Sequence, residues 1–343
     1  MDKRAFSIIG CQHEHIGIFI EEMLGLGYEC VGIYEKENKA LLASVANKYN
    51  LPIVEDKETL LDQRVAIVGS SAINNQKIDI IELCAERGKH IMVDKPAVTN
   101  RQDYKRLQAI INQTNIEVGM LLTERYQPAL RTLKRYLENG ELGQIVNIGI
   151  RKPHKLRPST RPEWHFSKEQ CGGLVIDLFV HDFDLLRWLT GVEVVDLDGI
   201  ISKNILPEYP SFYDTASVQV LLKGNILAQL YADWHTPEAS ETYGDGRVFV
   251  VGTKGYAELR LSGDPLITNE NLMFLVTHEN QAKRVELDIV KEKITEDFLR
   301  RIKGEQIGIT HQDILAATKA TIEADERVKK YTAFEVPILE REL

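Results

Sequence analysis

The chain of 343 residues carries 42 Lys and Arg against 51 Asp and Glu, a formal charge of −9, and has room for about two domains. This charge excludes a general nucleic-acid binder, which needs a basic face, and 43 % hydrophobic residues exclude a disordered chain. We expect neither a signal peptide nor a membrane helix, which needs roughly 20 apolar residues.

The first 122 residues alternate short apolar runs with helical patterns. The helical patterns repeat apolar residues at i, i+3, i+4 and i+7, as from Ile16 to Leu24, and one helix begins at a capping box from Thr99 to Gln102. The alternation predicts an α/β domain over 1–122 with a parallel sheet covered on both faces. Its strands are predicted at 6–10, 30–34, 65–68, 90–93 and 117–120.

From residue 123 onward strand-like runs dominate, and short turns join neighbouring runs. This pattern predicts an α+β domain over 123–343 with an antiparallel or mixed sheet. Helices are predicted at 127–138, 173–189 and 310–330, and strands at 144–150, 194–201, 214–222, 226–234, 247–251 and 255–261.

The four cysteines are too far apart in sequence for a zinc knuckle or a redox pair. We therefore expect reduced thiols in a cytoplasmic protein. No metal site is predicted, because His13 and His15 have no third ligand near them in the sequence.

The loop from Gly10 to Gly17 joins the first strand to the first helix, a place where unpaired amides can bind a pyrophosphate. In the usual G-x-G-x-x-G fingerprint glycines would stand at Gln12 and His15. Either these side chains contact a dinucleotide themselves, or the loop stands further from it, or the sheet binds none. Glu35 ends the second strand, where a carboxylate can bind the ribose of NAD and repel the phosphate of NADP.

A polar stripe on the helix predicted at 173–189 has the composition of a proton-transfer site. Asp177, His181 and Asp184 share one face, and a carboxylate one turn from an imidazole can fix its tautomer. The alternative is a solvated face with an ordinary ion pair. Lys95, held extended by the following Pro96, could stabilise an alkoxide or lie on the surface.

The segment from Arg151 to His165 has five basic residues against Glu163 alone, a local charge of +4. Trp164 could stack on a sugar ring and the arginines could pair with a carboxylate or phosphate, which favours an anionic sugar as substrate. The alternatives are a solvated basic loop or contacts with a neighbouring subunit. Trp234, at a strand end, is a weaker candidate.

Several motifs in chain order resemble the glucose–fructose oxidoreductase/inositol dehydrogenase (Gfo/Idh/MocA) family over essentially the whole chain. A first turn with His13 and His15, followed later by Val93-Asp94-Lys95-Pro96, is similar to one subgroup of that family. The landmarks are Ile9-Gly10, Glu35, Gly88 to Pro96, Arg125-Tyr126-x-Pro128, Gly140-x-x-Gly143, Gly172-Gly173 to Asp184, and Gly252 to Gly255.

The resemblance implies a Rossmann domain and a C-terminal domain with a large open mixed sheet, through which homodimers or homotetramers form. It also implies that Lys95 contacts the nicotinamide ribose and the substrate hydroxyl, that Asp177 orients or relays protons, and that His181 is the general acid/base. The candidate cofactor-binding residues are Gly10, Gln12, His13, His15, Glu35, Ser70, Ser71, Asp94 and Lys95. The candidate substrate-binding residues are Tyr126, Lys152, His154, Arg161, Trp164, His165, Asp184 and Trp234.

The sequence thus predicts an NAD-dependent dehydrogenase, with NADP not excluded, that acts on a secondary alcohol of a sugar, cyclitol or sugar acid. One alternative is a glycoside hydrolase or epimerase that recycles bound NAD. The other is a non-enzymatic sensor that binds a dinucleotide.

Overall fold

The computed structural model describes residues 5–334 and divides the chain into two compact units. The first and longest segment of the first unit ends at Thr123, one residue beyond the predicted boundary. Two later segments that the sequence assigned to the second domain also belong to it. The first unit is Met1–Thr123, Glu169–Gly172 and Glu292–Lys319; the second is Glu124–Lys168, Gly173–Lys291 and Ala320–Leu343.

Strands and helices are numbered here in chain order over the described residues. The strands are β1 Ala5–Cys11, β2 Glu29–Tyr34, β3 Ile67–Ser71, β4 His90–Val93, β5 Val118–Met120, β6 Ile145–Pro153, β7 Val194–Lys203, β8 Thr215–Leu222, β9 Ile226–Asp233, β10 Arg247–Gly252, β11 Gly255–Arg260, β12 Leu272–Thr277, β13 Lys283–Arg284 and β14 Lys329–Thr332. The helices are α1 Ile16–Gly25, α2 Lys39–Tyr49, α3 Lys77–Glu86, α4 Arg101–Gln113, α5 Pro128–Glu138, α6 Lys168–Cys171, α7 Gly173–Thr190, α8 Ile294–Ile302 and α9 His311–Arg327.

The first unit is built on a five-stranded parallel sheet in the order β2-β1-β3-β4-β5. Five strands with helices between them are present as predicted, because apolar runs such as β4 are buried. The third strand is displaced along the chain: β3 begins at Ile67 and ends at Ser71, whereas the prediction was 65–68. An isolated parallel bridge also joins Ile33 of β2 to Ile53, which the sequence analysis missed. The strand order reverses between β1 and β3, where such sheets bind ligands at their carboxyl ends.

One predicted helix start in this unit is wrong by one residue. Asn100, rather than Thr99, is the N-cap of α4, and its side chain accepts a hydrogen bond from the Asp103 N–H. An asparagine is at least as good an N-cap as a threonine, so the neighbouring residue takes the position.

The second unit is built on a nine-stranded mixed sheet in the order β13-β12-β11-β10-β6-β9-β8-β7-β14. Its neighbouring strands are antiparallel except for the pairs β6–β9 and β7–β14. Phe179 and Phe183 of α7 belong to the same core as Ile148, Leu230 and Val250 of the sheet. The helix α7 therefore covers the inner face of this sheet.

Three features of the last third of the chain differ from the sequence prediction or were missed by it. The predicted helix to residue 330 ends at Arg327, and Lys329–Thr332 instead forms β14, which pairs in parallel with β7. The strands β12 and β13 and the helix α8 were not predicted. Within residues 5–334 the structure contains no helix with the length and hydropathy of a membrane span.

Candidate active site

The turn after β1 lies at the carboxyl end of the parallel sheet and packs against the end of β3. Gly10 has φ of +87°, and a Cβ at that position would lie 2.6 Å from the Cβ of Ala72, so only glycine fits there. The Gln12 N–H donates to the Ser71 carbonyl (2.8 Å). Helix α1 then begins at Ile16. The strand, turn and helix N-terminus thus form the arrangement that can bind a pyrophosphate.

Glu35 closes this turn from the end of β2. One oxygen of its carboxylate accepts the Gln12 side-chain amide (2.8 Å) and the Glu37 N–H (2.7 Å), and the other accepts the Cys11 N–H (2.7 Å). The Gln12 side chain, at the second glycine position of the fingerprint, is therefore directed toward Glu35. A carboxylate oxygen can accept about two hydrogen bonds, so the oxygen that faces Cys11 retains the capacity to bind a further donor.

Ser70 and Ser71 are fully buried beneath the turn. The Ser71 hydroxyl donates to the His13 carbonyl (2.9 Å), and the Ser70 carbonyl accepts the Asp94 N–H (2.8 Å). Both predicted cofactor residues therefore fix the backbone around the site, at the end of β1 and at the end of β4.

Lys77 is a residue of this region that the sequence analysis missed. Its ammonium group is buried and donates to the backbone carbonyls of Asp94 (2.9 Å), Lys95 (3.2 Å) and Pro96 (3.2 Å). It also donates to the Asn74 side chain (2.9 Å). Lys77 thereby fixes the segment that carries Lys95. A lysine at the start of an apolar helix was the available signal.

Two histidines of the first turn converge on one buried carboxylate. His13 Nδ1 lies 3.4 Å from Asp94 Oδ2, and His15 Nδ1 lies 3.3 Å from Asp94 Oδ1. Burial alone would raise the pKa of Asp94, but His15, Lys77 and His13 outweigh it and hold that pKa well below its usual range. A carboxylate that the sequence did not place near His13 and His15 thus lies beside both of them.

In the second unit, the polar stripe of α7 is not a solvated face. Asp177 is 8 % exposed, Asp184 is 2 % exposed, and His181 is half-buried. Asp184, which is predicted to bind substrate, accepts two hydrogen bonds of 2.8 and 2.5 Å from the Arg125 guanidinium. The alternative of a solvated face is therefore wrong, and Asp184 is a buried partner of Arg125.

Lys152 lies between two carboxylates under α7. Its ammonium group is 2.5 Å from Glu124 and 2.5 Å from Asp182, and all three side chains are shielded from water. Burial raises the pKa of Asp182 to about 6, because one ammonium cannot compensate two carboxylates. Burial also acts to raise the pKa of Glu124, but Lys152 and then His181 outweigh it, and the net pKa is lowered. Glu124 and Asp182 were not among the predicted site residues.

The remaining basic residues of the segment 151–165 also have partners within the second unit. Arg161 donates to the Leu156 carbonyl (2.7 Å) and lies 4.7 Å from the ring centre of Trp234. Lys155 donates to the carbonyls of Glu238 and Ser240. Lys155 and Arg161 thus donate to groups of their own unit, whereas Arg151 and Arg157 are exposed.

The aromatic candidates form a cluster of their own. His154 and His165 both pack edge-to-face against Trp234, with ring centres 5.6 and 5.2 Å away. Trp164 is 8 % exposed, so protein covers most of its ring. Tyr126 lies against Arg131, 4.9 Å from the guanidinium.

Comparison with known proteins gives two matching family models and many structural neighbours. Residues 5–121 match the model described as "Oxidoreductase family, NAD-binding Rossmann fold", and residues 130–258 match "GFO/IDH/MocA C-terminal domain". The scyllo-inositol 2-dehydrogenase (NAD(+)) of Bacillus subtilis (strain 168) is 29 % identical over 182 residues, 52 % of this chain and 50 % of that protein. The chain spans about half the length of the curated relatives it matches.

Solved structures match nearly the whole chain. A protein from Erwinia carotovora atroseptica SCRI1043 superposes with a TM-score of 0.86 at 23 % identity, over 95 % of this chain and 99 % of that one. Levoglucosan dehydrogenase in complex with NADH superposes with a TM-score of 0.78 at 18 % identity, over 94 % and 96 % of the two chains. At these identities the likeness establishes the fold.

Proposed function

The chain belongs to the Gfo/Idh/MocA family, and from this premise we propose that it is an NAD-dependent dehydrogenase of a sugar or cyclitol. The observation that carries the proposal is the strand–turn–helix at Gly10 with the carboxylate of Glu35 beside it. It lies where the strand order of a parallel sheet reverses, the place at which such sheets bind dinucleotides.

The donors and acceptors of the first unit fit a dinucleotide. The N-terminus of α1 would hold the pyrophosphate and Glu35 a ribose hydroxyl, while Lys95 would lie by the nicotinamide ribose. NAD, when bound, supplies a ring that accepts a hydride. The negative charge of Glu35 disfavours the additional phosphate of NADP, so we propose NAD as the preferred form.

His181 is proposed to accept the proton of the substrate hydroxyl. Asp177 lies one turn earlier on α7 and would orient it, and Lys95, from the first unit, would stabilise the alkoxide. General acid–base groups contribute about 10²–10⁴ in rate, so His181→Ala should lower kcat by that factor. His278→Ala, an exposed histidine of the second unit, is the control. Equal turnover by the two variants would remove His181 from the mechanism.

Cofactor binding is tested by calorimetric titration of NAD and of NADP into cofactor-free protein. We expect NAD to bind more tightly. Hydrogen bonds to charged groups are worth about 1.5–3 kcal/mol, so Glu35→Gln should weaken NAD binding by about tenfold or more. The difference in affinity between NAD and NADP should become smaller. Failure of wild-type protein to bind either dinucleotide would exclude both the dehydrogenase and the sensor.

For the substrate, we propose a neutral polyol rather than the anionic sugar that the sequence favoured. Lys152, Lys155 and Arg161 already have partners, so a substrate carboxylate would have to displace them. A panel of inositols, aldoses and uronates, read by cofactor absorbance, tests this choice. Turnover of uronates alone would restore the anionic substrate.

We further propose that the chain forms homodimers or homotetramers through the outer face of the nine-stranded sheet, in the cytoplasm. Leu227, Val251 and Tyr256 lie side by side across β9, β10 and β11, in register with Asn147 of β6, and are 53, 42 and 46 % exposed. Apolar side chains in one row mark a surface that associates. Light scattering should show a multimer that Val251→Glu converts to monomers, with Lys223→Glu unchanged as control.

A further inference from the structure

The cluster of His13, His15 and Asp94 has the composition of a transition-metal site. Each residue offers one ligand atom, and these atoms lie within 4.8 Å of one another. Two histidines and one carboxylate, with further positions open, form a ligand set that proteins use for Zn²⁺ and Fe²⁺. We propose that these three residues bind one first-row divalent metal ion.

The distances between the nitrogen and oxygen atoms of this cluster are compatible with metal coordination. Bonds of about 2.0–2.1 Å at tetrahedral angles separate neighbouring ligand atoms by about 3.3–3.4 Å. Each histidine faces its own oxygen of the carboxylate, His13 Nδ1 at 3.4 Å from Oδ2 and His15 Nδ1 at 3.3 Å from Oδ1, and both separations are of that size. A charge-assisted hydrogen bond between the same groups would be shorter, about 2.7–2.9 Å.

The ligands are also fixed in advance. Ser71 binds the His13 carbonyl, and the Asp94 backbone is anchored at both ends of its peptide unit, by Ser70 and Lys77. Lys77 donates to the Asp94 carbonyl, whereas the two carboxylate oxygens face the histidines. The α1 helix dipole opposes a cation here, but its effect at a partly exposed site is small beside metal coordination.

The site is open on the side of the histidines. The side chains of His13 and His15 are 35 and 46 % exposed, whereas that of Asp94 is 3 % exposed. A bound ion would therefore keep at least one position for water or for an anionic oxygen of a ligand.

The experiment titrates Zn²⁺ into tag-free full-length protein that has been stripped with chelator and holds no dinucleotide. Calorimetry should give one Zn²⁺ per chain with a Kd in the micromolar range or below. His13→Ala and His15→Ala should each weaken binding by about 100-fold or more, because even outer-shell partners of metal ligands contribute about 10–100-fold. His278→Ala, which removes an exposed histidine elsewhere, should bind as wild type does.

Co²⁺ supplies a second readout, since its visible spectrum distinguishes four-coordinate from hydrated ions. Wild-type protein should show the four-coordinate spectrum and His15→Ala should not. The proposal is overturned if wild type binds no Zn²⁺ at micromolar concentrations, or if the two histidine variants bind it equally well. NAD binding is measured separately, so failure here is distinct from failure of the dehydrogenase. The exposed histidines can be replaced without opening the core, and circular dichroism verifies folding.

Discussion

Two clusters of charged residues, one in each unit of this protein, differ in their exposure to solvent. At the carboxyl end of the five-stranded sheet, His13 and His15 are partly exposed around one buried carboxylate. Under α7, Lys152 and Asp182 are buried and the side chain of Glu124 is 15 % exposed, so that two carboxylates share one ammonium. The first set can therefore take up a ligand from solution, whereas the second must balance its own charge.

The largest expected effect comes from breaking the buried set. Lys152→Met leaves Glu124 and Asp182 without their cation, and removal of one partner of a buried ion pair costs about 3–5 kcal/mol. Urea unfolding should show the free energy of unfolding reduced by that amount. Lys223→Met, in an exposed turn, is the control. A loss below 1 kcal/mol would mean that the two carboxylates do not need Lys152 to be buried.

In the turn after β1, the substitution with the largest expected effect on stability changes the backbone rather than a charge. Gly10→Ala puts a methyl group 2.6 Å from the Cβ of Ala72, at a positive φ. The left-handed conformation costs about 1–2 kcal/mol and overpacking about 1–3 kcal/mol, so the free energy of unfolding should fall by about 2–5 kcal/mol. Gly25→Ala, whose Cβ would meet nothing within 4 Å, should be neutral or stabilising. Equal behaviour of both variants would show that the turn is not tightly held.

The surplus carboxylate of the buried set should make stability depend on pH. The pKa of Asp182 is raised to about 6 by burial and by Glu124, against Lys152. A raised pKa stabilises the fold below the unfolded value, near 4, and this contribution is lost as pH rises through about 6. The lowered pKa of Glu124 acts below this range, and the raised pKa of Lys152 acts above it.

Asp182→Asn should therefore gain stability relative to wild type between pH 5 and pH 8, by roughly 1–3 kcal/mol. Urea unfolding at several pH values measures this difference. Asp198→Asn, exposed on β7, should follow wild type at every pH. If the free energy of unfolding of Asp182→Asn changed with pH as that of wild type does, this carboxyl group would be ionised throughout the range.

The sequence predicts the scaffold of both regions but not the pairing within them. Continuous apolar runs identify β1 to β5, and helical spacing identifies α7, because these signals are local. Lys77, Glu124 and Asp182 were missed because the groups that they bind, Asp94 and Lys152, lie 17 to 30 residues away in the sequence. Only folding brings these groups together. The strand β14 was read as helix because its edge pairing with β7 is decided by tertiary contacts rather than by its own sequence.

The smallest effect should come from the same basic segment that contains Lys152. Arg157 is half exposed and lies 3.6 Å from Glu238, which is itself exposed. Exposed ion pairs contribute about 0–1 kcal/mol, so Arg157→Met should lower the free energy of unfolding by no more than that. At high salt this free energy should differ little between the variant and wild type. The two residues are five positions apart and carry the same charge, and only burial separates them. A loss as large as that of Lys152→Met would show that the segment acts as one unit, and the distinction between buried and exposed charges would not hold.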